Sequence, residues 1–154
     1  HGHFDHVMAV GSVRAAYHIP VYAAEAEKET MQDASINLSI NMGGAMLSVE
    51  ADHWLKDGET ITLLDQEVRC ILTPGHTVGG MCFYFPKAGM LFSGDTLFQE
   101  SVGRTDFPGG SMSEIVRSIR EKLFVLPDAV QVYPGHGLMT SIKNEKMFNP
   151  FAVE

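Results

Sequence analysis

Three apolar runs in this sequence each end in a glycine that is followed at once by a metal-capable side chain. His76, Asp95 and His136 are those side chains. Short apolar runs of this kind are typical of buried strands, and glycine allows the turn that aims the next side chain outward. An α/β sheet carries its chemistry at the ends of its strands. The pattern therefore predicts a sheet whose edge gathers these three side chains.

The first six residues add a second group of candidate ligands. Three imidazoles and one carboxylate occur there, at His1, His3, Asp5 and His6. Imidazole and carboxylate suit zinc, iron or manganese, and we expect two divalent ions, with zinc favoured. Two ions about 3.5–4 Å apart that share a carboxylate lower the pKa of bound water to about 7. The sequence therefore predicts a metal-dependent hydrolase that needs no nucleophilic serine or cysteine.

Composition narrows the classes of partner. The chain has a net charge of -8 with 11 scattered Lys and Arg, whereas nucleic-acid binders neutralise phosphates with basic stripes. It contains no apolar run of about 18 residues that would cross a membrane. We therefore expect a small-molecule substrate, no nucleic acid, no membrane and a cytoplasmic location. The length suits one domain over residues 1–154, and Cys70 and Cys82 are expected to be buried free thiols.

Hydrophobic periodicity predicts the secondary structure. Helices are expected over 5–17, 24–33, 111–126 and 142–148. Strands are expected over 20–23, 61–64, 68–73, 81–85, 90–93 and 130–133. Loops are expected over 34–52 and 96–110. Asp5 is a candidate cap for the first helix, and Ser111 or Ser113 for the third.

The candidate ligands together resemble the motif set of the metallo-β-lactamase-fold hydrolases. The family pattern His-x-His-x-Asp-His matches residues 1–6, and its later His, Asp and His match three further positions in order. The resemblance implies an αββα sandwich with a dinuclear site at one edge. It also implies a role for each ligand: the first metal binds His1, His3 and His76, the second binds Asp5, His6 and His136, and Asp95 bridges them. In this pattern Asp5 also orients the nucleophile or takes part in proton transfer.

Within that superfamily the chain looks most like glyoxalase II and its short bacterial relatives. The segments that carry this likeness are 73–77, 92–98, 103–106, 133–137 and 144–151. The resemblance implies that a metal-bound hydroxide cleaves a thioester, typically S-lactoylglutathione. Arg104 and Lys143 are candidate anchors for a substrate carboxylate.

Two departures from the glyoxalase II pattern leave the thiol carrier open. Position 80 is Gly, where a His is often found in the family. Full glyoxalase II enzymes also have a C-terminal helical domain that contributes to glutathione binding, and residues 137–154 are too few for it.

Several other functions use a similar ligand set. A lactonase, a β-lactam hydrolase, an RNA-processing nuclease and a persulfide dioxygenase with a single iron are the alternatives. The carboxylate at Asp95 argues against a true β-lactamase, whose zinc sites usually use Cys or no carboxylate at that place. The acidic charge opposes a nuclease, and nothing in the sequence excludes a lactonase.

The motif begins at the first residue of this sequence. Because the family has strands before this motif, the resemblance implies a fold that lacks its N-terminal strands. A sheet edge exposed in this way is open to pairing, so a homodimer or a strand swap is expected. The same reasoning predicts that His1 and His3 lack a supporting strand, which would weaken metal binding.

Overall fold

The computed structural model describes residues 1–152, apart from the side chains at positions 42 and 43. Within that range the strands are β1 Tyr22–Ala24, β2 His53–Leu55, β3 Thr60–Leu63, β4 Gln66–Leu72, β5 Met81–Phe85, β6 Met90–Gly94, β7 Leu97–Phe98, β8 Ser101–Val102, β9 Gln131–Pro134 and β10 Thr140–Ser141. The α-helices are α1 Phe4–Val7, α2 Val10–Tyr17, α3 Lys28–Gln32, α4 Met112–Ser118 and α5 Ile142–Phe148. A 3-10 turn, Glu25–Glu27, leads into α3, and wider π-helical turns form Ser39–Gly43 and Ile119–Leu123.

Six strands form the main sheet in the order β10-β9-β6-β5-β4-β3. Every neighbouring pair in this sheet is antiparallel except β6 and β9, which are parallel. Strands β4 and β6 both run against β5, so β4, β6 and β9 point the same way. Their carboxyl ends therefore meet at one edge of the sheet, as the sequence predicted.

Helices cover one face of this sheet. Along β5, Cys82 and Tyr84 point to the helical side, because successive side chains of a strand alternate between faces. They join a buried cluster that also includes Ile115 and Ile119 from the α4 region and Ile142 from α5. The helices thus hold the strands whose ends carry the candidate ligands.

A small second sheet covers part of the other face. Strands β1 and β2 pair in parallel, and their Ala24 and Leu55 are buried against Cys70 and Met81 of the main sheet. Helices, the main sheet and this smaller sheet form successive layers of a mixed α/β fold.

The first predicted helix differs most from the structure. It divides into α1 and α2 at Met8 and Ala9. The apolar side of α2 lies at the surface, since Val13 is 41% and Tyr17 72% exposed. Asp5 does not cap α1: the N-cap is His3, without a side-chain cap bond. Asp5 instead lies in the first turn, where its carboxylate reaches toward other candidate ligands.

Most other elements agree with the sequence prediction. The hairpins β3–β4 and β5–β6 form as expected, and Ser111 is the N-cap of α4, accepting a bond from the Glu114 N–H. Strand β2 was missed, and β7 and β8 lie inside a predicted loop, because strands of two or three residues show no periodicity. Both cysteines are free and buried, as predicted. No helix within residues 1–152 is long and apolar enough to cross a membrane.

Candidate metal centre

Glycines shape the three strand ends in two different ways. Gly75 and Gly94 adopt positive φ angles of 137° and 50°, a region that glycine enters without steric cost. Gly135 has no such angle, but an added Cβ would lie 2.4 Å from Asp95 Oδ1 and 2.7 Å from His6 Cε1. The predicted role of glycine as a turn residue therefore holds for the first two, while the third provides room for neighbouring ligands.

Hydrogen bonds to distant parts of the sequence hold the N-terminal segment against this edge. The Gly2 N–H donates to Glu27 Oε1 at 2.8 Å, and the Phe4 N–H donates to the Asn37 carbonyl at 2.9 Å. Helix α1 starts directly afterwards and turns His6 inward. The expected loss of support for His1 and His3 is thus offset in this structure by contacts to Glu27 and Asn37.

His1, His3 and His76 form the first ligand group. The His76 Nε2 lies 3.0 Å from His3 Nδ1 and 3.2 Å from His1 Nε2. Nitrogens bound about 2.0–2.1 Å from a tetrahedral zinc lie about 3.3 Å apart. Both distances from His76 Nε2 therefore fit nitrogens that share one tetrahedral metal ion.

The backbone of Arg104 sets the orientation of His76. The His76 Nδ1 lies 2.7 Å from the Arg104 carbonyl oxygen. A carbonyl oxygen accepts hydrogen bonds but cannot donate one. Nδ1 therefore carries the hydrogen, and Nε2 keeps a lone pair directed at the other two histidines. Metal-binding histidines are commonly held by such a bond to their second nitrogen.

The second ligand group contains His6, Asp95 and His136. The His6 Nε2 is 3.3 Å from both His136 Nε2 and Asp95 Oδ1. Asp5 joins them through Oδ2, which is 3.2 Å from His136 Nε2 and 3.7 Å from His6 Nε2. Asp5, His6 and His1 also form a close set, so the two groups are contiguous.

Asp95 lies between the two groups. Its Oδ2 is 3.6 Å from His76 Nε2 of the first group and 3.5 Å from His136 Nε2 of the second. Its Oδ1 is buried without a hydrogen-bond partner. Buried carboxylate oxygens normally have a partner, and a metal ion would supply one. The donor set and this unpartnered oxygen both fit divalent metals.

Burial and charge set the protonation states of two candidate ligands. Burial, together with the nearby His76, lowers the pKa of His3 to about 4, so His3 is neutral at neutral pH. Burial alone would raise the pKa of Asp95, but His6, whose Nε2 lies 3.3 Å from Oδ1, and the nearby His76 and His136 bring that pKa below its usual value. A neutral imidazole and an ionised carboxylate are the forms that bind metals.

A cavity of about 490 Å³ opens above these side chains. His3, Asp5, His76, Asp95 and His136 form its polar end. Apolar side chains from separate parts of the chain form much of its wall: Phe4, Leu38, Phe98, Val102 and Phe107.

The predicted substrate anchors differ in their positions. Arg104 lines the cavity, with its guanidinium 3.9 Å from the centre of the Phe107 ring and bonded to both carboxylate oxygens of Asp106. Lys143 lies exposed on the first turn of α5, where its N–H donates to the Asp128 carbonyl. It is not among the described residues that line the cavity, so the geometry gives its predicted role no support.

Thus the structure brings all seven predicted ligands together and places Arg104 beside them. The sequence analysis did not identify the apolar side chains that form the cavity wall. Phe107 stands directly after the segment 103–106, and its ring packs edge-on against His3 with centroids 5.5 Å apart. Its position next to a motif was the only signal available.

Comparison with known proteins identifies the family. The model of the metallo-β-lactamase superfamily matches residues 1–136. The chain belongs to this superfamily. The family model and the structural neighbours confirm the predicted metallo-β-lactamase fold, and a superfamily that binds divalent metals agrees with the gathered donor groups.

Similar members of the superfamily cover most of the chain. The probable metallo-hydrolase YqgX of Bacillus subtilis is 38% identical over 98% of this chain and 72% of that protein. The hydroxyacylglutathione hydrolase GloC of Haemophilus influenzae is 34% identical over 98% of this chain and 72% of that protein.

Two solved structures are also similar to this chain. The BLEG-1 B3 metallo-β-lactamase has a TM-score of 0.93 and 38% identity, covering 100% of this chain and 75% of that one. TTHA1623 in a di-iron-bound form has a TM-score of 0.84 and 34% identity, covering 98% and 74%.

Proposed function

We propose that this chain hydrolyses a thioester, such as S-lactoylglutathione, with two divalent metal ions, in the manner of glyoxalase II. The observation that carries the proposal is the position of Asp95 between two histidine groups at the polar end of an apolar-walled cavity. Similarity to the hydroxyacylglutathione hydrolase GloC supports the choice of a thioester. We favour zinc, with iron as an alternative that the di-iron form of TTHA1623 supports.

Each ligand has a proposed role at this centre. His1, His3 and His76 would hold one ion, His6, Asp5 and His136 would hold the other, and Asp95, which lies between the two groups, would be shared by both. Bound metals of this kind activate water at neutral pH and polarise a carbonyl group.

The side chains around the cavity supply the rest of the chemistry. Water adds to the acyl carbon, the C–S bond breaks, and a carboxylic acid and a thiol form. Asp5 lines the cavity with its carboxylate 39% exposed, so we propose that it takes a proton from the attacking water and passes it to the departing sulfur. The apolar side chains of the cavity wall lower the local dielectric constant, which strengthens electrostatic interactions at the reacting group.

Arg104 is the proposed anchor for a substrate carboxylate. Its guanidinium already faces Asp106, and the hydrogen bonds from Arg104 lower the pKa of Asp106 to about 2. The pair stays charged at neutral pH, so a substrate carboxylate competes with Asp106 for the same planar fork of donors.

A β-lactam hydrolase is the second candidate. The similarity to the BLEG-1 B3 metallo-β-lactamase favours it, since that structure aligns with the entire chain at a TM-score of 0.93. A β-lactam amide and a thioester are both attacked at a carbonyl carbon, so one cavity serves either substrate. The carboxylate of Asp95 is the reason for ranking the thioester first.

A comparative assay tests the proposal. Metal-loaded protein is assayed with S-lactoylglutathione, a homoserine lactone and a cephalosporin. The thioester is expected to have the highest kcat/KM. A higher kcat/KM for the cephalosporin or the lactone would contradict the proposed thioester hydrolysis and would favour a β-lactam hydrolase or a lactonase instead.

Replacement of the bridging carboxylate tests the two-metal assignment. Asp95→Asn is expected to reduce turnover to the background level, because an amide bridges two cations poorly. Asp128→Asn is the matched control, since Asp128 is an exposed carboxylate paired with Lys146. Wild-type turnover by Asp95→Asn, with both metals retained, would refute the assignment.

A further inference from the structure

Glu27 is a buried carboxylate that faces two backbone amides. It is 1% exposed and ends the 3-10 turn before α3. Its Oε1 accepts from the Gly2 N–H at 2.8 Å, and its Oε2 accepts from the Gly79 N–H at 2.7 Å. The two oxygens of Glu27 therefore accept hydrogen bonds from two backbone segments that are far apart in the sequence.

Those two amides belong to the two segments that supply the first ligand group. Gly2 stands between His1 and His3. Gly79 lies in the turn that carries His76, a turn closed by the bond from the Thr73 N–H to the Gly80 carbonyl at 2.6 Å. A single side chain thus fixes the distance between the loops from which all three histidines project.

The packing around Glu27 leaves little freedom for this arrangement. A Cβ added at Gly79 would lie 2.3 Å from the Glu27 nitrogen, and one added at Gly2 would lie 2.7 Å from Met31 Cγ. At Gly2 and Gly79 both segments therefore lie so close to the Glu27 region that a side chain at either position would clash.

Glu27 is a buried carboxylate that no basic side chain of the described residues neutralises. Among the ion pairs of residues 1–152, none involves Glu27. Its side chain borders a cavity of about 260 Å³ together with His1 and His6. A buried carboxylate is costly without a compensating charge, and a cation held by the neighbouring histidines would provide one.

We infer that Glu27 is a positioning residue that presets His1, His3 and His76 for a divalent metal. It fixes their separation through Gly2 and Gly79 and adds a buried negative charge that favours the cation. This inference rests on the metal centre of the proposed function. Replacement of residues that hold metal ligands from behind commonly costs about 10–100-fold in metal affinity.

The substitution Glu27→Gln tests the inference at nearly constant shape. An amide nitrogen cannot accept from an N–H, so one of the two bonds is lost together with the charge. The variant is expected to bind zinc about 10–100-fold more weakly at one of its two sites in a chelator competition. With cobalt(II) in place of zinc, its visible spectrum is expected to differ from that of the wild type, because the three histidines are displaced.

Glu145→Gln is the matched control. Glu145 is also fully buried, and it accepts bonds from the Glu100 N–H and from the side chains of Thr140, Asn144 and Asn149. It touches neither segment of the first ligand group. The control is expected to lower the thermal stability while zinc affinity and cobalt spectrum stay those of the wild type.

The outcomes separate this inference from the proposed function. Wild-type affinity and spectrum in Glu27→Gln would overturn the inference, and so would an equal loss of affinity in Glu145→Gln. A wild-type protein that binds metal without cleaving thioesters would overturn the proposed function alone.

If Glu27→Gln does not fold, a measurement on the wild-type protein tests the inference. Coupling between two sites is reciprocal, so metal binding should strengthen the bonds to Glu27. Hydrogen exchange at the Gly2 and Gly79 amides is therefore expected to slow on zinc addition, relative to the Gly58 amide, which bonds to the Cys70 carbonyl. Equal exchange with and without zinc would overturn the inference.

Discussion

At position 135 the main chain passes so close to two candidate ligands that no side chain fits. An added Cβ would meet Asp95 Oδ1 and His6 Cε1 well inside van der Waals distance. Glycine at position 135 is therefore needed for Asp95 and His6 to take up their positions beside His136.

Gly135→Ala is therefore expected to displace Asp95 and His6 and to weaken binding of the second metal at least tenfold. A metal titration followed by calorimetry measures this loss. Gly11→Ala is the control, because a Cβ there meets nothing within 4 Å, and alanine within α2 is expected to stabilise the fold by about 0.5–1 kcal/mol. Two tight sites in Gly135→Ala would contradict the expectation.

Residue patterns predicted which side chains gather at this site better than they predicted the side chains around them. Each candidate ligand follows an apolar run or belongs to a compact motif, so local sequence was sufficient to single it out. The cavity wall comes from separate parts of the chain, at Phe4, Leu38, Phe98 and Phe107, and local sequence contains no signal that brings them together. Glu27 was also missed, because a glutamate in a charged, helical segment is normally solvated.

At the scale of elements, one cluster fixes the end of β4 that leads to His76. Lys122, in the turn after α4, donates to Asp57 Oδ2 and to the Leu72 carbonyl, both at 2.7 Å. Asp57 Oδ1 accepts from the Leu72 N–H at 2.8 Å. The helical layer and the strand are thus joined just before the ligand-bearing loop.

This cluster predicts a pH dependence of stability. Partial burial alone would raise the pKa of Asp57, but the bonds from Lys122 and Leu72 lower the pKa below its usual value. The unfolded chain then takes up a proton at higher pH than the folded protein, so the contribution of Asp57 is present above about pH 3.9. It is lost as the pH falls through the lower folded value.

Urea unfolding of the wild type and Asp57→Asn measures this effect. Because Asp57 is largely exposed, the difference in unfolding free energy at pH 7 is expected to be about 1 kcal/mol or less. It should shrink as the pH falls below about 3.9. A difference that stays constant between pH 7 and pH 2 would contradict this assignment.

Periodicity predicted the longer elements well. The hairpins β3–β4 and β5–β6, strand β9 and helix α5 all lie where the apolar pattern placed them. The exposed apolar side of α2 was not predicted, since a periodic pattern shows that a helix has an apolar face but not what covers it. Very short strands such as β7 and β8 owe their form to tertiary contacts, including the bond from the Asn149 side chain to the Ser101 carbonyl.

At the scale of the whole molecule, metal binding and folding are coupled. The candidate ligands come from the N-terminal segment and from three separate strand ends, so the unfolded chain does not hold them together. A ligand that binds only the folded state stabilises it by about 2.7 kcal/mol at 100 times its Kd. For a chain of this length that corresponds to a change in Tm of roughly 5–10 °C.

Chelation is therefore expected to lower the Tm of the metal-loaded protein by about this amount, as measured by calorimetry with and without a chelator. Asp95→Asn should show a smaller response, because it loses the bridging carboxylate. A Tm that does not change on chelation of the wild type would show that metal and fold are not coupled.

The single parallel pair in the main sheet, β6 with β9, has a consequence for how such a centre varies. Asp95 and His136 leave adjacent strand ends, and the bond from the Gly135 N–H to the Gly94 carbonyl at 2.9 Å keeps those ends aligned. Their separation is set by the spacing of the sheet. Phe98, on β7, and Phe107, beyond β8, form part of the cavity wall between β6 and α4. We therefore expect substitutions at these two positions to change which substrate is preferred, while the separation of Asp95 and His136 stays set by the sheet.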